Sequence, residues 1–362
     1  MHDSVTVEDI EAIAQGAAVL GAGGGGDPHI GSIVARRLVE RHGPVPLLRL
    51  EDVPDDMLVA PMGMIGAPAA SVEKIVSEGE LTRVLDVWAA ATGHRPTALM
   101  PIEVGGGNSM IPIACAAAAG LPLVDADAMG RAFPENQMVT FYLHGHDAGT
   151  AALVDALGNS VVIDAADAVW SERLARAVTT EMGATATMLD NVQPGDVVRR
   201  CAIGGTLTLA HRIGTALTST DLHDDERLAA VLDVAGGRCL FEAKVTDVRR
   251  SSTDGFTRGS AQLLGTGEDR DSSFELEFQN EMVVARRDGE VLAVVPDLIC
   301  VLDAVTSRAV TTESLRYGAR VRVVALPCDE QWSTPRGIEV AGPRAFGLDL
   351  DYRPFDQEGE GA

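Results

Sequence analysis

Three carboxylate side chains stand at the ends of two sequence segments that predict buried strands. Glu103 closes the apolar stretch 97–104, and Asp125 and Asp127 follow directly after the stretch 121–124. A glycine turn and a short helix join the two strands, which predicts a parallel pair whose carboxyl ends meet at one edge of the sheet. Three carboxylates converging on one pocket there suit a general acid and base, or a cation site. In the alternative, the aspartates cap the next helix and Glu103 pairs with an arginine.

Two glycine-rich turns are the next candidates for ligand binding. The expected contacts to a flat polar ligand come from Gly23, Gly24, Gly25 and Asp27 in the first turn, and from Gly106, Gly107 and Asn108 in the second. The first turn also matches the spacing of a dinucleotide fingerprint, but a predicted helix precedes it where that fingerprint needs a strand, so we expect no nucleotide cofactor. In the alternative, the first turn is only a tight connection between two helices.

Two histidines and an Arg–Glu pair complete the candidate residues. His144 and His146 end the segment 138–143, which we interpret as a strand, so that both face the same side. They would bind one Zn²⁺ or Mn²⁺ with an aspartate as third ligand, or His144 would act as a general acid. A structural role, held by hydrogen bonds, is the alternative. Arg131 and Glu135 follow the aspartates, and Arg131 would orient a carboxylate or form a structural ion pair.

The elements that must position these residues alternate between helix and strand in the N-terminal half. Helical periodicity covers 6–21, where Thr6 would cap, then 28–42 with Asp27 as cap and Gly43 as stop, and 71–93. Asn108 or Ser109 would cap a helix that runs to residue 119. Further strands are predicted at 59–68 and within 151–164.

The composition changes after about Trp170. Helices are predicted at 171–182 and 204–217, followed by strands at 239–250, 257–267, 272–287, 290–304, 319–327 and 337–343. Asp254-Gly255 and Asp288-Gly289 are hairpin turn signals. We therefore predict an α/β domain over 1–170, a helical linker and antiparallel β-domain over 171–350, and a flexible tail over 351–362.

The overall composition limits the classes of partner. The chain has 362 residues, a net charge of −24 and 46% hydrophobic residues, so it has enough apolar residues for a core and would repel nucleic acid and anionic membranes. Its five cysteines lack any C-x-x-C spacing, which favours reduced thiols and a cytoplasmic location. The start MHDSVTVEDIE is too polar for a signal peptide.

Several segments, in order along nearly the whole chain, resemble the S-methyl thiohydantoin desulfurase family, which is associated with hydantoin utilisation. They are GAGGGGDP at Gly21, EVGGGNS at Glu103, DADAMGRAFPE at Asp125, FQNEMVVARRDG at Phe278, VPDLICVLD at Val295, TTESLRYGARV at Thr311 and GPRAFGLD at Gly342. One departure is Ala128, where a glycine is expected. The resemblance implies an N-terminal three-layer α/β sandwich and a C-terminal antiparallel β-barrel-like domain.

The resemblance also implies a reaction, in which an S-methyl thiohydantoin is hydrolysed to a hydantoin and methanethiol. Asp125, Asp127 or a metal at the histidines would activate water, and Glu103 or His144 would protonate the ring. The expected partner is this small-molecule substrate, in a chain that we expect to form homo-oligomers. As an alternative, the chain is a non-catalytic partner subunit of a hydantoinase or oxoprolinase, and a ligand-binding sensor is a third hypothesis.

Overall fold

Two β-sheets with flanking helices make up the computed structural model, which describes residues 3–67, 74–253 and 256–355. The fold is mixed α/β, and the second sheet is antiparallel and curls into a half-barrel. The predicted combination of an α/β part and an antiparallel β part is therefore confirmed, whereas the three-layer arrangement stays a prediction.

The first sheet has a parallel centre with antiparallel additions on both sides. Its strands are β1 (Ser4–Val5), β2 (Val45–Arg49), β3 (Leu58–Gly66), β4 (Ala98–Pro101), β5 (Leu123–Asp127), β6 (Ala151–Val154), β7 (Ser160–Ile163), β8 (Thr185–Leu189), β9 (Gln193–Pro194) and β10 (Ile203–Gly204). Strands β2, β5, β4 and β3 lie side by side and parallel, as predicted for β4 and β5. Strands β8, β6 and β7 then extend the sheet beyond β3 in antiparallel pairs.

The helices pack mainly on the first sheet and on one another. They are α1 (Asp9–Leu20), α2 (Pro28–His42), α3 (Glu78–Thr92), α4 (Met110–Ala119), α5 (Thr140–Leu143), α6 (Ala168–Glu181), α7 (Gly195–Cys201), α8 (Thr206–Thr218), α9 (Asp224–Ala235) and α10 (Pro335–Ala341). Short 3-10 turns occupy Leu50–Asp52, Gly106–Ser109, Gly267–Asp269 and Pro343–Phe346. No helix among the described residues combines the length and the apolar character needed to cross a bilayer.

The start of α2 follows the sequence prediction. The Asp27 carboxylate accepts a hydrogen bond from the His29 amide at 2.9 Å, Pro28 is the first helical residue, and Gly43 ends the helix at a φ of 98°. The predicted helix at 71–93 is found as α3 only from Glu78 to Thr92, because the Ser77 side chain caps it there. Residues 74–77 are not helical, and residues 71–73 lie outside the described residues. In α1 the Thr6 side chain does not cap but donates to Asp9, so the helix begins later than expected.

The second sheet is a continuous antiparallel order of seven strands. They are β11 (Arg238–Thr253), β12 (Phe256–Gly265), β13 (Ser273–Gln279), β14 (Glu281–Arg287), β15 (Glu290–Val294), β16 (Leu298–Asp303) and β17 (Arg320–Leu326), in the spatial order β15-β14-β13-β12-β11-β17-β16. Phe241 and Phe274 stack inside it with ring centroids 3.8 Å apart. The predicted hairpin at Asp288-Gly289 is confirmed, with φ of 50° and 90°, and Asp254-Gly255 lies outside the described residues.

Two strand predictions are wrong. Segment 138–143 ends in the short helix α5, because the Thr140 amide bonds to the Ala128 carbonyl of a loop and Phe141 turns into the core. Segment 337–343 lies mostly in α10, since the Thr334 hydroxyl accepts from the Gly337 amide and Pro335 begins the helix. In both cases aromatic or β-branched residues indicated a strand, but local capping and loop contacts decided the structure.

The segment predicted as a tail is anchored over its first residues. The Asp297 carboxylate accepts hydrogen bonds from the Tyr352 hydroxyl and from the Phe355 amide, both at 3.1 Å, and Phe355 is buried. Residues 356–362 lie outside the described residues. The chain therefore closes against the β15–β16 connection of the second sheet.

Helices α1 and α8 approach so closely that no side chain fits at their crossing. A Cβ on Gly16 would lie 1.8 Å from the Ala210 carbonyl oxygen, and one on Gly214 would lie 1.7 Å from that of Ala12. We predict that Gly16→Ala destabilises the protein by about 1–3 kcal/mol, because the helices must separate. The matched control is Gly79→Ala in α3, where the nearest atom to the new Cβ is Ser77 Oγ at 4.0 Å, an ordinary van der Waals contact.

The control variant should instead gain about 0.5–1 kcal/mol, since alanine is the better helix former. Urea unfolding of both variants, followed by far-ultraviolet circular dichroism, measures the two effects. If Gly16→Ala and Gly79→Ala changed the free energy of unfolding by equal amounts in the same direction, the proposed close contact between α1 and α8 would be contradicted.

Candidate active site

A cleft of about 120 Å³ lies where the carboxyl ends of β3 and β4 meet the β13–β14 turn of the second sheet. Its polar lining is dominated by carboxyl groups, namely Glu103, Glu135, Glu172, Asp190 and Glu281. Asn108, Asn136 and Asn280 add amide groups, and Arg176 adds a cation. The cleft thus takes polar groups from both sheets.

Glu103 lies at the centre of this arrangement and is almost fully buried. One carboxyl oxygen accepts from Asn108 Nδ2 at 2.6 Å, and the other accepts from the Phe133 amide at 3.1 Å. Asn108 is itself fixed, because its Oδ1 accepts from the Met64 amide at 2.7 Å. Burial raises the pKa of Glu103 to about 8, and the nearby charge of Asp127 adds to this shift. Glu103 therefore holds a proton over most of the neutral range.

Asp127 lies behind Glu103 and organises the backbone. Its Oδ2 accepts hydrogen bonds from the amides of Val104, Met129 and Gly130 at 2.7, 3.3 and 2.8 Å. Burial raises the pKa of Asp127 to about 7, although these amides lower it. Asp127 joins the loops that follow β4 and β5, and it does not line the cleft.

Asp125 is directed away from the cleft, in contrast to the expected convergence of three carboxylates. Its Oδ1 accepts from the Leu207 and Thr208 amides at 3.0 and 3.1 Å, and its Oδ2 accepts from the Thr208 hydroxyl. Asp125 therefore caps α8, because the first amides of a helix need acceptors. The sequence analysis gave helix capping as the alternative role for Asp125, and Asp125 does cap a helix. The helix it caps is α8, however, which lies about 80 residues later in the chain and is not the next helix.

The two glycine turns pack backbone against backbone. The Gly107 amide donates to the carbonyl oxygens of Gly25 and Gly26 at 2.9 and 3.0 Å, and Gly106 adopts a φ of 67°. The Gly23 carbonyl oxygen accepts a hydrogen bond from the Thr312 amide at 2.9 Å. Gly23 and Gly106 thus serve packing, whereas Gly25 and Gly26 line the cleft.

A smaller compartment of about 70 Å³ adjoins the cleft on the other side of Asn108. Asp27 and Gly107 line this compartment and not the main cleft. Gly24 lines neither, because the Glu281 side chain covers it.

Arg131 and Glu135 occupy different environments. The Arg131 guanidinium is buried, donates to the carbonyl oxygens of Pro296 and Asp297 at 2.6 and 2.9 Å, and stacks 4.6 Å from the Phe133 ring centroid. It links the first sheet's loops to the second sheet and does not line the cleft. Glu135 does line the cleft, where it accepts from the Gln137 side chain.

The two histidines do not come together with the carboxylates of the cleft. His144 follows α5, is exposed, and lies with Nε2 2.8 Å from Gln331 Oε1. His146 is half-buried, and neither histidine lines the cleft. The expected same-side arrangement depended on a strand, and the segment forms a short helix instead. Over 3–67, 74–253 and 256–355, no group of three or more His, Cys, Asp or Glu side chains is arranged to hold a metal ion.

Sequence reasoning missed three acidic residues of the cleft, which are Glu172, Asp190 and Glu281. Asp190 follows β8, where Asn136 Nδ2 donates to its Oδ2, and burial raises its pKa to about 6. Glu281 begins β14, and burial together with the charge of Glu103 raises its pKa well above the usual value. The available signal for Glu281 was a charged residue opening the apolar stretch MVVA, within a segment already noted for its resemblance. Asp190 carried no comparable signal.

The remaining wall of the cleft is apolar and rich in sulfur. Met64, Met129 and Met188 line it together with Ile102 and Phe133. Thioether side chains are polarisable and adapt to irregular ligands. The cleft therefore has a polar side and an apolar side.

Comparison with known proteins gives a family. The description "S-Me-THD-like, N-terminal domain" matches residues 8–165, and "S-Me-THD-like, C-terminal domain" matches residues 166–355. The chain belongs to the S-Me-THD-like family. This confirms the resemblance to S-methyl thiohydantoin desulfurases that the sequence segments indicated.

The fold is also found in a solved structure. A protein from Chromobacterium violaceum with a known crystal structure is 22% identical in sequence to this chain, and the two structures align with a TM-score of 0.79. The match covers 98% of this chain and 99% of that one, and it shows a shared fold. A search of curated proteins finds no match.

The position of Asp125 predicts an effect on stability. Asp125→Ala should cost about 2 kcal/mol of unfolding free energy, because it leaves buried amides of α8 without acceptors. The control is Asp167→Ala, which removes the exposed cap of α6 and should cost about 1 kcal/mol, since water replaces the lost acceptor. Denaturant titration measures both, and a stability of Asp125→Ala equal to the unmodified protein would contradict the capping role.

Proposed function

We propose that this protein hydrolyses an S-methylated thiohydantoin to the corresponding hydantoin and methanethiol. The observation that carries the proposal is Glu103, a buried carboxyl group with a raised pKa, held by two hydrogen bonds in the cleft of an S-Me-THD-like chain. A group that keeps its proton near neutral pH and is fixed in position suits general acid catalysis.

The proposed base is Asp190. Its pKa of about 6 leaves it mostly ionised at pH 7, whereas Glu103 is mostly protonated. Two carboxyl groups whose environments separate their pKa values are the usual assignment of base and acid in one site. Asn136 orients Asp190, and a backbone amide with Asn108 orients Glu103.

The reaction then balances with these two groups and one water molecule. Asp190 accepts a proton as water oxygen bonds to the ring carbon that carries sulfur, and Glu103 donates its proton to the ring nitrogen. The carbon–sulfur bond breaks as the hydroxyl oxygen of the adduct becomes a carbonyl. The proton from Asp190 leaves with the thiolate as methanethiol, and the hydroxyl proton returns to Glu103.

Two features of the cleft support this substrate class. The wall formed by Met64, Met129 and Met188 suits an S-methyl group, because it is apolar and polarisable. Within the described part of the chain, the amides of Gly25 and Gly26 donate no hydrogen bond, although both residues line the cleft. Free amides beside a cleft suit a ring oxygen that gains negative charge.

The direct test is release of methanethiol from an S-methyl thiohydantoin by the purified chain alone, detected with a thiol-reactive dye. We expect one equivalent of thiol for each hydantoin formed. Absence of thiol with a range of ring substituents, together with stable co-purification with a hydantoinase, would favour the partner-subunit alternative.

The two carboxyl groups predict the pH dependence. Turnover needs Asp190 ionised and Glu103 protonated, so kcat/KM should rise as the pH increases through about 6 and fall as it passes about 8. Asp190→Asn should lower kcat by about 10²–10⁴-fold and remove the acidic limb of the pH profile. Glu103→Gln should lower kcat by a similar factor and remove the alkaline limb.

Asp125→Asn serves as a control in the same measurements, because Asp125 caps a helix and lies outside the cleft. Its pH profile should keep the shape of the unmodified protein. An unchanged profile for Asp190→Asn would remove Asp190 from the mechanism.

A further inference from the structure

Glu281 is a buried carboxyl group of the cleft that the proposed hydrolysis does not use. The residue is only 2% exposed, and it lines the cleft from the second sheet. Its Oε2 has no hydrogen-bond partner among the described residues. A buried polar atom without a partner is costly, so its position needs an explanation.

The backbone holds Glu281 firmly on both sides. Asn280 adopts a left-handed φ of 57°, and its amide and side-chain Oδ1 both pair with the backbone of Thr257 at 2.8 Å. On the other side, the Met282 amide donates to the Ala22 carbonyl at 2.8 Å. The carboxyl group is therefore presented by a rigid segment, as specificity residues are.

The first glycine turn leaves space for this side chain. A Cβ on Gly24 would lie 2.0 Å from Glu281 Oε1, so any residue other than glycine would displace the carboxyl group. The contact also brings Glu281 beside Gly25, which lines the same cleft. The glycine therefore allows a carboxyl group of the second sheet to reach a cleft of the first.

The charge state of Glu281 follows from its surroundings. Burial is the main cause that raises the pKa of Glu281 well above its usual value, and the charge of Glu103 adds to this shift, so the surroundings favour the neutral carboxylic acid form. A neutral carboxylic acid has one O–H donor and one carbonyl acceptor side by side. This pair matches the adjoining C=O and N–H of a cyclic amide.

We propose that Glu281 determines specificity by binding the adjoining N–H and C=O groups of the ring through two hydrogen bonds, without transferring a proton. This rests on the proposed function for the substrate class. It assigns the two carboxyl groups at the junction of the sheets different tasks, because Glu103 delivers a proton and Glu281 recognises the amide edge. The unpartnered oxygen is then satisfied only when a ring is bound.

The test compares two variants of nearly equal shape. Glu281→Gln keeps one donor and one acceptor, and Glu281→Met keeps the chain length but neither group. We expect Glu281→Gln to lose no more than about 5-fold in hydantoin affinity and kcat/KM, and Glu281→Met to lose about 100-fold in both, because the polar edge of the ring is left without partners. Isothermal titration with hydantoin measures affinity without turnover.

N-methylated rings provide a readout that general damage to the fold would not produce. Of 1-methylhydantoin and 3-methylhydantoin, one should bind to the unmodified protein at least about 10-fold more weakly than hydantoin. In that ring the methyl group replaces the hydrogen of the N–H that Glu281 recognises. Glu281→Met should lose this discrimination.

Glu313→Gln, at a half-buried carboxyl group outside the cleft, is the matched control and should bind like the unmodified protein. Thermal unfolding of each variant verifies that it is folded.

The possible results separate this proposal from the proposed hydrolysis. Hydantoin binding that depends on Glu281, without thiol release, would support ring recognition and contradict hydrolysis. Thiol release that falls about 100-fold in Glu281→Gln, or is unaffected in Glu281→Met, would overturn the specificity role and leave hydrolysis standing. Lack of hydantoin binding by the unmodified protein would also overturn the specificity role of Glu281. If the unmodified protein neither binds hydantoin nor releases thiol, both proposals fail.

Discussion

The direct packing of two glycine turns is the contact on which the cleft depends. A Cβ on Gly25 would lie 2.4 Å from the Gly105 carbonyl oxygen, and one on Gly106 would lie 2.5 Å from the carbonyl carbon of Gly25. Glycine is required where backbones meet at these distances. The second turn begins two residues after Glu103, and the first turn continues into contacts with the second sheet. Glu103 and the first glycine turn are thus fixed relative to each other through main-chain atoms.

Part of this site can be predicted from the sequence, because its residues are close together along the chain. The strand, glycine turn, helix and strand around Glu103 form one parallel unit, so the sequence pattern alone locates the carboxyl end of that unit. The capped start of α2 at Asp27 is equally local. Such features depend only on neighbouring residues, whose pattern can be interpreted directly.

The misplaced residues depend on distant parts of the chain. Asp125 and Asp127 are two positions apart and were expected to share one role, but α8 arrives from later in the sequence and takes the Asp125 carboxylate. Glu281 reaches the cleft only because the second sheet folds back onto the first glycine turn. Asp190 enters through β8, which adds to the sheet as an antiparallel strand. None of these contacts leaves a periodic pattern in the sequence.

The position of β8 has a consequence for how the chain can be divided. This strand lies within the segment 166–355 of the C-terminal family match, but it pairs with β3 and β6 of the N-terminal segment. A fragment cut at the family boundary would leave β3 with open hydrogen-bonding groups along a largely apolar edge, which favours intermolecular strand pairing and aggregation. The two family segments are therefore consecutive in sequence but share one sheet, because strands from both segments pair within it.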